Sequence, residues 1–405
     1  MKKTAKIGIV ICLTIMLFCT MISCQETPPL SNETSSEPND TTHSSNVIRT
    51  DLIEYGPYIF VDGQYIRQYN MNTNLLAPAC VDPECQGTCP LEASINEVIQ
   101  VVEGKMFFYS WEAATSIVQC GYQDIFSGEI KILVTLSKLE DSYRVRFHVW
   151  NGHLYYNRKI LRAGGDSENP DDYIPHICRV SVDGGEEETL FASNEALVVV
   201  ADNKIITREN GTMYSYDLET KNKQTLFNVE EIGYKNAVGL YQYLNGKVYF
   251  ICMDDTFSIS EYNKKKYLNR YLLSVDIHTG VVERVIEEPV ISYALTDDTI
   301  YYFPFEVRYL YIPEDSDPSG AVVYLASATL YACDINGENQ RAVYTNENWD
   351  VADRFTVVGN KLFALIYEFD QEAHTFPDEG YWGYLDLDTK EIIPAEVEEH
   401  PGYRK

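Results

Sequence analysis

The stretch GLYQYLNGKVYFI, residues 239–251, is two aromatic and aliphatic runs hinged on Asn245-Gly246. Asn and Gly accept the positive φ that a two-residue turn imposes, so the stretch predicts a tight β-hairpin. The same element recurs as INEVIQVVEGKMFFY (95–109), YRVRFHVWNGHLYYN (143–157), ALVVVADNKIIT (196–207), ISYALTDDTIYYF (291–303) and RFTVVGNKLFALI (354–366). Their turn pairs are Glu103-Gly104, Asn151-Gly152, Asp202-Asn203, Asp297-Asp298 and Gly359-Asn360. Each pair predicts the same left-handed turn.

A second element follows each hairpin: a strand, a polar turn and a short last strand. LSVDIHTGVVERVI (273–286) and YSYDLETKNKQTLF (214–227) are two copies. Aligned on the residue that opens the turn, the copies fall at Asn70, Asp124, Ser181, Asp217, Asp276, Asp334 and Asp386. A unit repeating roughly every fifty residues, with almost no helical periodicity between copies, predicts an all-β repeat architecture. Seven four-stranded antiparallel units that stack radially make a β-propeller, in which ring closure leaves only short edges. An irregular pair of sandwiches is the competing arrangement. The first unit is the least regular; its strands are expected near 47–54, 57–61, 64–69 and 75–79.

Variation concentrates at one junction. Unit four joins its two hairpins through Arg208-Glu209-Asn210-Gly211, whereas units three, five, six and seven carry insertions there. These begin at Asn157, Met253, Phe305 and Glu368. Equivalent junctions of equivalent blades leave from the same rim, and long loops on a rigid scaffold are where recognition usually sits. The insertions bring Tyr173, His176, Tyr262, Lys264, Lys265, Lys266, Tyr309, Tyr311, Tyr381 and Trp382 to that rim. An aromatic, partly basic ligand face is one reading; a cover over the central channel is the other.

The N-terminus supplies an address. Lys2, Lys3 and Lys6 precede an apolar run from Ile7 to Ile22, too short to span a bilayer core and shaped as a secretory leader. Its end, Met21-Ile22-Ser23-Cys24, resembles a bacterial lipobox, which implies diacylglyceryl and acyl chains on Cys24. Residues 1–23 are therefore expected to be a lipoprotein signal peptide, and 24–46 a lipidated cysteine with a polar tether. An uncleaved anchor and plain secretion are the alternatives. The tether has no apolar periodicity and would span about 26 Å as a flexible chain. Residues 47–405 then form one propeller, held at the outer face of the cell membrane.

The formal net charge of the 405 residues is −29, and removing the leader's lysines makes it more negative. Such a surface repels phosphate backbones and argues against nucleic acid. The 31 tyrosines first signal strand, since aromatic rings suit half-buried pleated surfaces.

Cys120, Cys178, Cys252 and Cys333 sit within strand patterns and are expected as small buried apolar groups. Cys80, Cys85 and Cys89 form a compact run between units one and two. A local disulfide suits an exported protein, with unpaired thiols and a metal site as alternatives. From about residue 58 onward, Tyr69-Asn70-Met71-Asn72-Thr73-Asn74 followed by Cys80-Val81-Asp82-Pro83-Glu84-Cys85 resembles clostridial-type surface lipoproteins that carry a β-propeller of unknown function. The resemblance implies a fold and a location, and no activity. Gln86 and Gly87 stand where that family often has a histidine, which weakens the metal reading.

Enzyme signatures are weak or absent: no sialidase box, no Gly-x-Ser-x-Gly elbow and no P-loop. His148 and His153 flank a hairpin turn and are read as surface residues; the pairs Asp171-Asp172 and Asp254-Asp255 are expected by chance among 61 acidic residues. The expected function is non-catalytic capture of an extracellular or envelope protein, peptide or glycan, with no cofactor and no metal. The alternatives are an enzyme acting on an extracellular polymer through channel-mouth carboxylates, and a structural subunit of an envelope complex.

Overall fold

The computed structural model describes residues 53–61, 66–80, 91, 95–112, 115–137, 140, 147–259, 266–311, 322–350, 355–370, 372 and 380–398. All of them belong to one compact unit, Thr42–Lys405. Cys24, the leader, the tether, Tyr262, Lys264, Lys265, Cys85 and Cys89 lie outside the described residues.

The strands group into seven antiparallel sheets. Blade 1 holds β1 (Ile53–Tyr55), β2 (Tyr58–Val61), β3 (Arg67–Asn70) and β4 (Leu75–Pro78); blade 2 holds β5 (Ile95–Val102), β6 (Lys105–Glu112), β7 (Ile117–Asp124) and β8 (Ile130–Leu136). Blade 3 holds β9 (Phe147–Trp150), β10 (His153–Leu161), β11 (Tyr173–Ser181) and β12 (Glu188–Ala192). Blade 4 holds β13 (Ala196–Ala201), β14 (Lys204–Glu209), β15 (Thr212–Asp217) and β16 (Lys223–Asn228). Blade 5 holds β17 (Asn236–Leu244), β18 (Lys247–Ile259), β19 (Lys266–Asp276) and β20 (Val282–Arg284). Blade 6 runs β21 (Val290–Leu295), β22 (Thr299–Tyr311), β24 (Thr329–Asp334) and β25 (Arg341–Thr345), with β23 (Val322–Ala326) folded back on the far half of β22. Blade 7 runs β27 (Phe355–Val358), β28 (Lys361–Glu368), β29 (Tyr381–Asp386) and β30 (Ile392–Pro394), and β26 (Trp349–Asp350) pairs the far end of β28. The last strand, β31 (Glu396–Val397), adds to blade 1, running parallel to β4. The seven-bladed propeller expected from the repeat is the fold.

Alternation along the strands builds the seams. In β18, Val248, Phe250 and Cys252 enter the cluster shared with blade 4, while Tyr249 and Ile251 enter the one shared with blade 6. Successive side chains of a strand point to opposite faces, so each central strand feeds two seams. Seven such clusters run round the ring, and the last joins Phe363 and Tyr384 of blade 7 to Ile59, Val61, Tyr69 and Leu76 of blade 1. That seam excludes a pair of separate sandwiches. Blade 1 supplies its own four strands, so no strand exchange completes it; closure is reinforced by β31 on its outer edge. Lys361 Nζ also donates to the Met71 carbonyl at 3.2 Å across the same seam.

One hydrogen bond repeats in every blade. The backbone N–H of Met71, Ile125, Val182, Leu218, Ile277, Ile335 and Leu387 donates to the carbonyl of Pro57, Gly104, Gly152, Asn203, Gly246, Asp298 and Asn360 respectively, at 2.7 to 3.0 Å. The first and third turns of each blade therefore share a lower rim. Left-handed backbone occurs at Asn245 (φ 49°) and Gly246 (φ 80°), as the sequence requires. At Gly359-Asn360 only the glycine is left-handed (φ 59°), and Asp297-Asp298 departs from that expectation altogether. Neither residue has positive φ; the turn closes instead through Thr296 N–H to the Thr299 carbonyl at 2.8 Å and Thr299 N–H to Thr296 Oγ1 at 3.1 Å.

The turn-opening carboxylates act as local staples. Asp217 Oδ1 accepts from the N–H groups of Glu219 and Thr220, and Asp124, Asp276 and Asp386 repeat the pattern. Across the hairpin, each faces the lysine that opens the second strand: Lys105, Lys204, Lys247 or Lys361. The third-neighbour backbone N–H is the main reason these four carboxyls are held below the usual range. A depressed folded-state pKa contributes stability that is complete above the unfolded value near 4 and is lost as pH falls through the folded one. The urea midpoint should therefore drop between about pH 5 and pH 2, and D217N with D276N should flatten that drop. A pH-independent midpoint would contradict this.

Cys120, Cys178, Cys252 and Cys333 are fully buried in the seams, as expected. Burial pushes the Cys178, Cys252 and Cys333 thiols up to about 12 and raises Cys120 well above its ordinary value. Since the thiolate is the reactive form, a disulfide-exchange reagent should label these four only after denaturant is added. Labelling of the folded protein at the rate of a free thiol would refute the assignment.

Candidate functional site

The second junction of each blade and the blade-to-blade connections share the upper rim, opposite the uniform turns. In blade 4 this junction is a two-residue turn, Asn210 (φ 46°) and Gly211 (φ 81°). On either side of it, the described parts of the insertions in blades 3, 5 and 6 begin and end as paired strands, and most of the blade 7 insertion lies outside the described residues. In blade 3, β10 and β11 stay in register out to Leu161 opposite Tyr173. In blade 5, β18 and β19 stay paired to Ile259 opposite Lys266, and in blade 6, β22 and β23 pair to Tyr311 opposite Val322. Sequence reading expected irregular excursions. Runs such as Phe305–Tyr311 are rich in aromatic and β-branched residues, which complete a strand once a partner is beside them.

Blade 3's projection is well fixed. Asn169 caps a single 3-10 turn, Pro170–Asp172, accepting from the Asp171 N–H at 3.1 Å. Asp172, 5% exposed, accepts from the Asp166 N–H at 2.8 Å and pairs with Arg162. Tyr173 is half-buried and its hydroxyl donates to the Ser167 carbonyl at 3.1 Å. His176 Nδ1 lies 2.7 Å from the Ile174 carbonyl. A carbonyl only accepts, so Nδ1 carries a proton in this contact. At the base, Arg158 joins Glu140 and Glu187.

Blade 5 shows what its acidic pair does. Asp254 Oδ1 accepts from Thr256 N–H at 2.8 Å and from its hydroxyl at 2.6 Å, within a register shift of β18. Asp255 pairs with Lys235 of the preceding connection. Both carboxylates, like that of Asp172, bond within or beside the projections.

Blades 6 and 7 meet at a third part of the rim. Arg308, 9% exposed, donates through Nε to the Ala326 carbonyl at 2.6 Å and through Nη1 to the Glu347 carboxylate at 3.2 Å. The Tyr381 hydroxyl donates to Glu368 Oε1 at 2.7 Å; burial and this carboxylate together raise its pKa. Tyr344 packs edge-on against Trp349, centroids 4.9 Å apart. Tyr309 is half-buried on the projecting strand, and the side chain of Tyr311 lies outside the described residues. Trp382 stacks on Phe363 at 5.4 Å and 10° within the seam to blade 1. A change at Trp382 therefore perturbs the seam as well as the face.

Glu347, Glu368 and Tyr344 were not marked in the sequence. Glu347 sits on a blade connection, Glu368 at a strand end and Tyr344 in a last strand; only the turn of the chain at the rim brings them together. His148 is a correction: it is 4% exposed on the inner strand β9, whereas His153 is half-exposed. An inner strand is buried along its length by its neighbours, so closeness to a turn did not place it at the surface. His148 lines a narrow crevice with Val198, Val199, Tyr241, Gln242, Tyr243 and Val248 that has no room for a water molecule. No carboxylate is among these residues. Cys80 is half-buried at the end of β4, packed on the seam between blades 1 and 2. Among the described residues no three His, Cys, Asp or Glu side chains gather as a metal site.

No protein-family model matches the chain, and no curated protein matches it in sequence. Among solved structures it is similar to the β-propeller domain of the trilobed protease from Pyrococcus furiosus, at 12% identity and a TM-score of 0.47, covering 88% of this chain and 99% of that one. The Pyrococcus horikoshii acylaminoacyl peptidase is similar at 12% identity and a TM-score of 0.46; the match covers 88% of this chain and 53% of that one. A chain of the nidogen/laminin complex matches at 11% identity and a TM-score of 0.36, covering 74% of this chain and 92% of that one. The likeness is one of architecture.

Proposed function

We propose that the protein is a lipoprotein, tethered through Cys24 to the outer face of the cell membrane, that captures a protein, peptide or glycan on its upper rim. The observation that carries the capture reading is the asymmetry of the two rims. The short first and third turns of the seven blades form the lower one, while strand-paired projections from blades 3, 5 and 6 rise from the upper one around the low turn of blade 4. Paired strands hold side chains more firmly than loops do, which lowers the ordering cost of binding. The tether reading rests on the leader and on the cysteine at its end.

Two experiments test it. Cells fed an alkynyl fatty acid should label the protein, and C24S should abolish the label and release the protein to the medium. For capture, residues 161–173 are replaced by the Asn-Gly turn of blade 4. Envelope protein or glycan retained by the wild-type domain should be lost, with the thermal midpoint little changed. Equal retention by the shortened domain would refute the face.

A further inference from the structure

Six of the seven seams are crossed by the chain itself, because the last strand of each of blades 1 to 6 runs on into the next blade. The seam between blades 7 and 1 is closed differently. After β30 the chain lays β31 along the outer edge of blade 1, parallel to β4. Glu396 N–H donates to the Asn74 carbonyl and Glu398 N–H to the Leu76 carbonyl, both at 2.9 Å. Asn74 Nδ2 donates to the Pro394 carbonyl at 3.0 Å. Glu396, Val397 and Glu398 are exposed, so little apolar burial reinforces these bonds. Across the seam itself, Tyr69 stacks on Phe363 with ring centroids 4.4 Å apart.

An independent observation lies on the inner strand of the same seam. Gln100 of blade 2 and Gln242 of blade 5 stand opposite Phe107 and Tyr249, and their amide oxygens take N–H groups of the next inner strand. Thr356, opposite Phe363, is the equivalent residue of blade 7. It is 0% exposed, and its hydroxyl has no hydrogen-bond partner among the described residues. The hydroxyl sits on Cβ and reaches less far than a glutamine amide; left unpaired, it counts against the closed state. We infer that the ring opens locally between blades 7 and 1, with the C-terminal strand as its latch, while the other six seams stay closed. Once β31 lifts, parting these two blades strains no chain connection, and local opening begins where few buried contacts hold. The inference stands apart from what the upper rim captures.

The test is backbone amide hydrogen exchange of the purified protein, resolved blade by blade. In the wild type, amides of blades 1 and 7 should exchange about tenfold faster than those of blades 4 and 5. E396P with E398P removes both N–H donors of the latch at exposed positions, so the fold itself is spared. This pair should speed exchange in blades 1 and 7 about tenfold more and leave blades 3 to 5 unchanged. T356V keeps the shape of the side chain and removes the unpaired hydroxyl; it should slow exchange in the same two blades about threefold. Acceleration shared equally by all seven blades would mean global unfolding and overturn the inference. So would acceleration confined to residues 396–398, or a T356V protein whose exchange at this seam matches the wild type.

Discussion

Replacing Trp349 by alanine is expected to destabilise the propeller by about 3–5 kcal/mol, the range for emptying a large aromatic site in a packed core. Trp349 is 1% exposed and lies in the seam between blades 6 and 7. Its ring meets Phe303 at 5.7 Å and Tyr344 at 4.9 Å, both near-perpendicular, and its Nε1–H donates to the Ala328 carbonyl at 3.4 Å. Alanine leaves a cavity bounded by two sheets that the ring prevents from closing, so relaxation is limited. Trp382 offers the comparison: it is half-buried and stacks on a single ring, so W382A should cost less than half as much. Chemical unfolding of both variants decides the point. Equal losses would mean that depth in the seam does not set the cost.

The second large effect is expected at a glycine. Gly337 lies in the third turn of blade 6 with φ +85°, and a Cβ there would stand 1.9 Å from the Val285 carbonyl oxygen of blade 5. The neighbouring atom is backbone, so one of the two blades must move. G337A is expected to cost more than about 3 kcal/mol, adding that collision to the roughly 1–3 kcal/mol of a left-handed alanine. Gly246 isolates the backbone part. Its φ is +80°, but the nearest atom to an added Cβ is 3.7 Å away, so G246A should show only the conformational cost. A difference near zero between the two variants would show that the inter-blade approach at Gly337 is loose.

These two sites illustrate how the ring is held. Gly280 comes within the same kind of reach of Leu226 in blade 4, and Lys131 Nζ of blade 2 donates to the Asp183 carbonyl of blade 3. The third turn of one blade thus rests on the outer strand of its predecessor. Inner strands are clasped by side-chain amides, the half-buried Gln100 and the buried Asn157 and Gln242: Gln100 Oε1 takes the Val149 N–H, Asn157 Oδ1 the Leu197 N–H, and Gln242 Oε1 the Leu295 N–H, at 3.0 to 3.1 Å. Projections can extend from such a frame without disturbing it, because their pairing continues strands that the seams already fix.

Much of this was legible in the chain itself. The hairpin pairs, the turn-opening Asp residues and the alternating apolar runs are local: a turn needs a residue that accepts positive φ, and a strand needs every second side chain apolar. Those requirements repeat with the blade, so repeat number, strand order and the buried cysteines could be read before any coordinates. What tertiary structure alone decided is long-range. Whether Phe305–Tyr311 forms strand or loop depends on β23 lying beside it. Whether His148 is buried depends on inner strands of neighbouring blades, and whether Trp382 faces out depends on Phe363 at the closing seam. The patch of Tyr344, Glu347, Glu368 and Tyr381 joins parts of two blades, and no periodicity along the chain encodes which rim residues of different blades converge. Sequence set the local conformations, because short-range sterics and hydrogen bonds govern them; ring closure chose the neighbours, because burial is a property of the whole assembly of sheets.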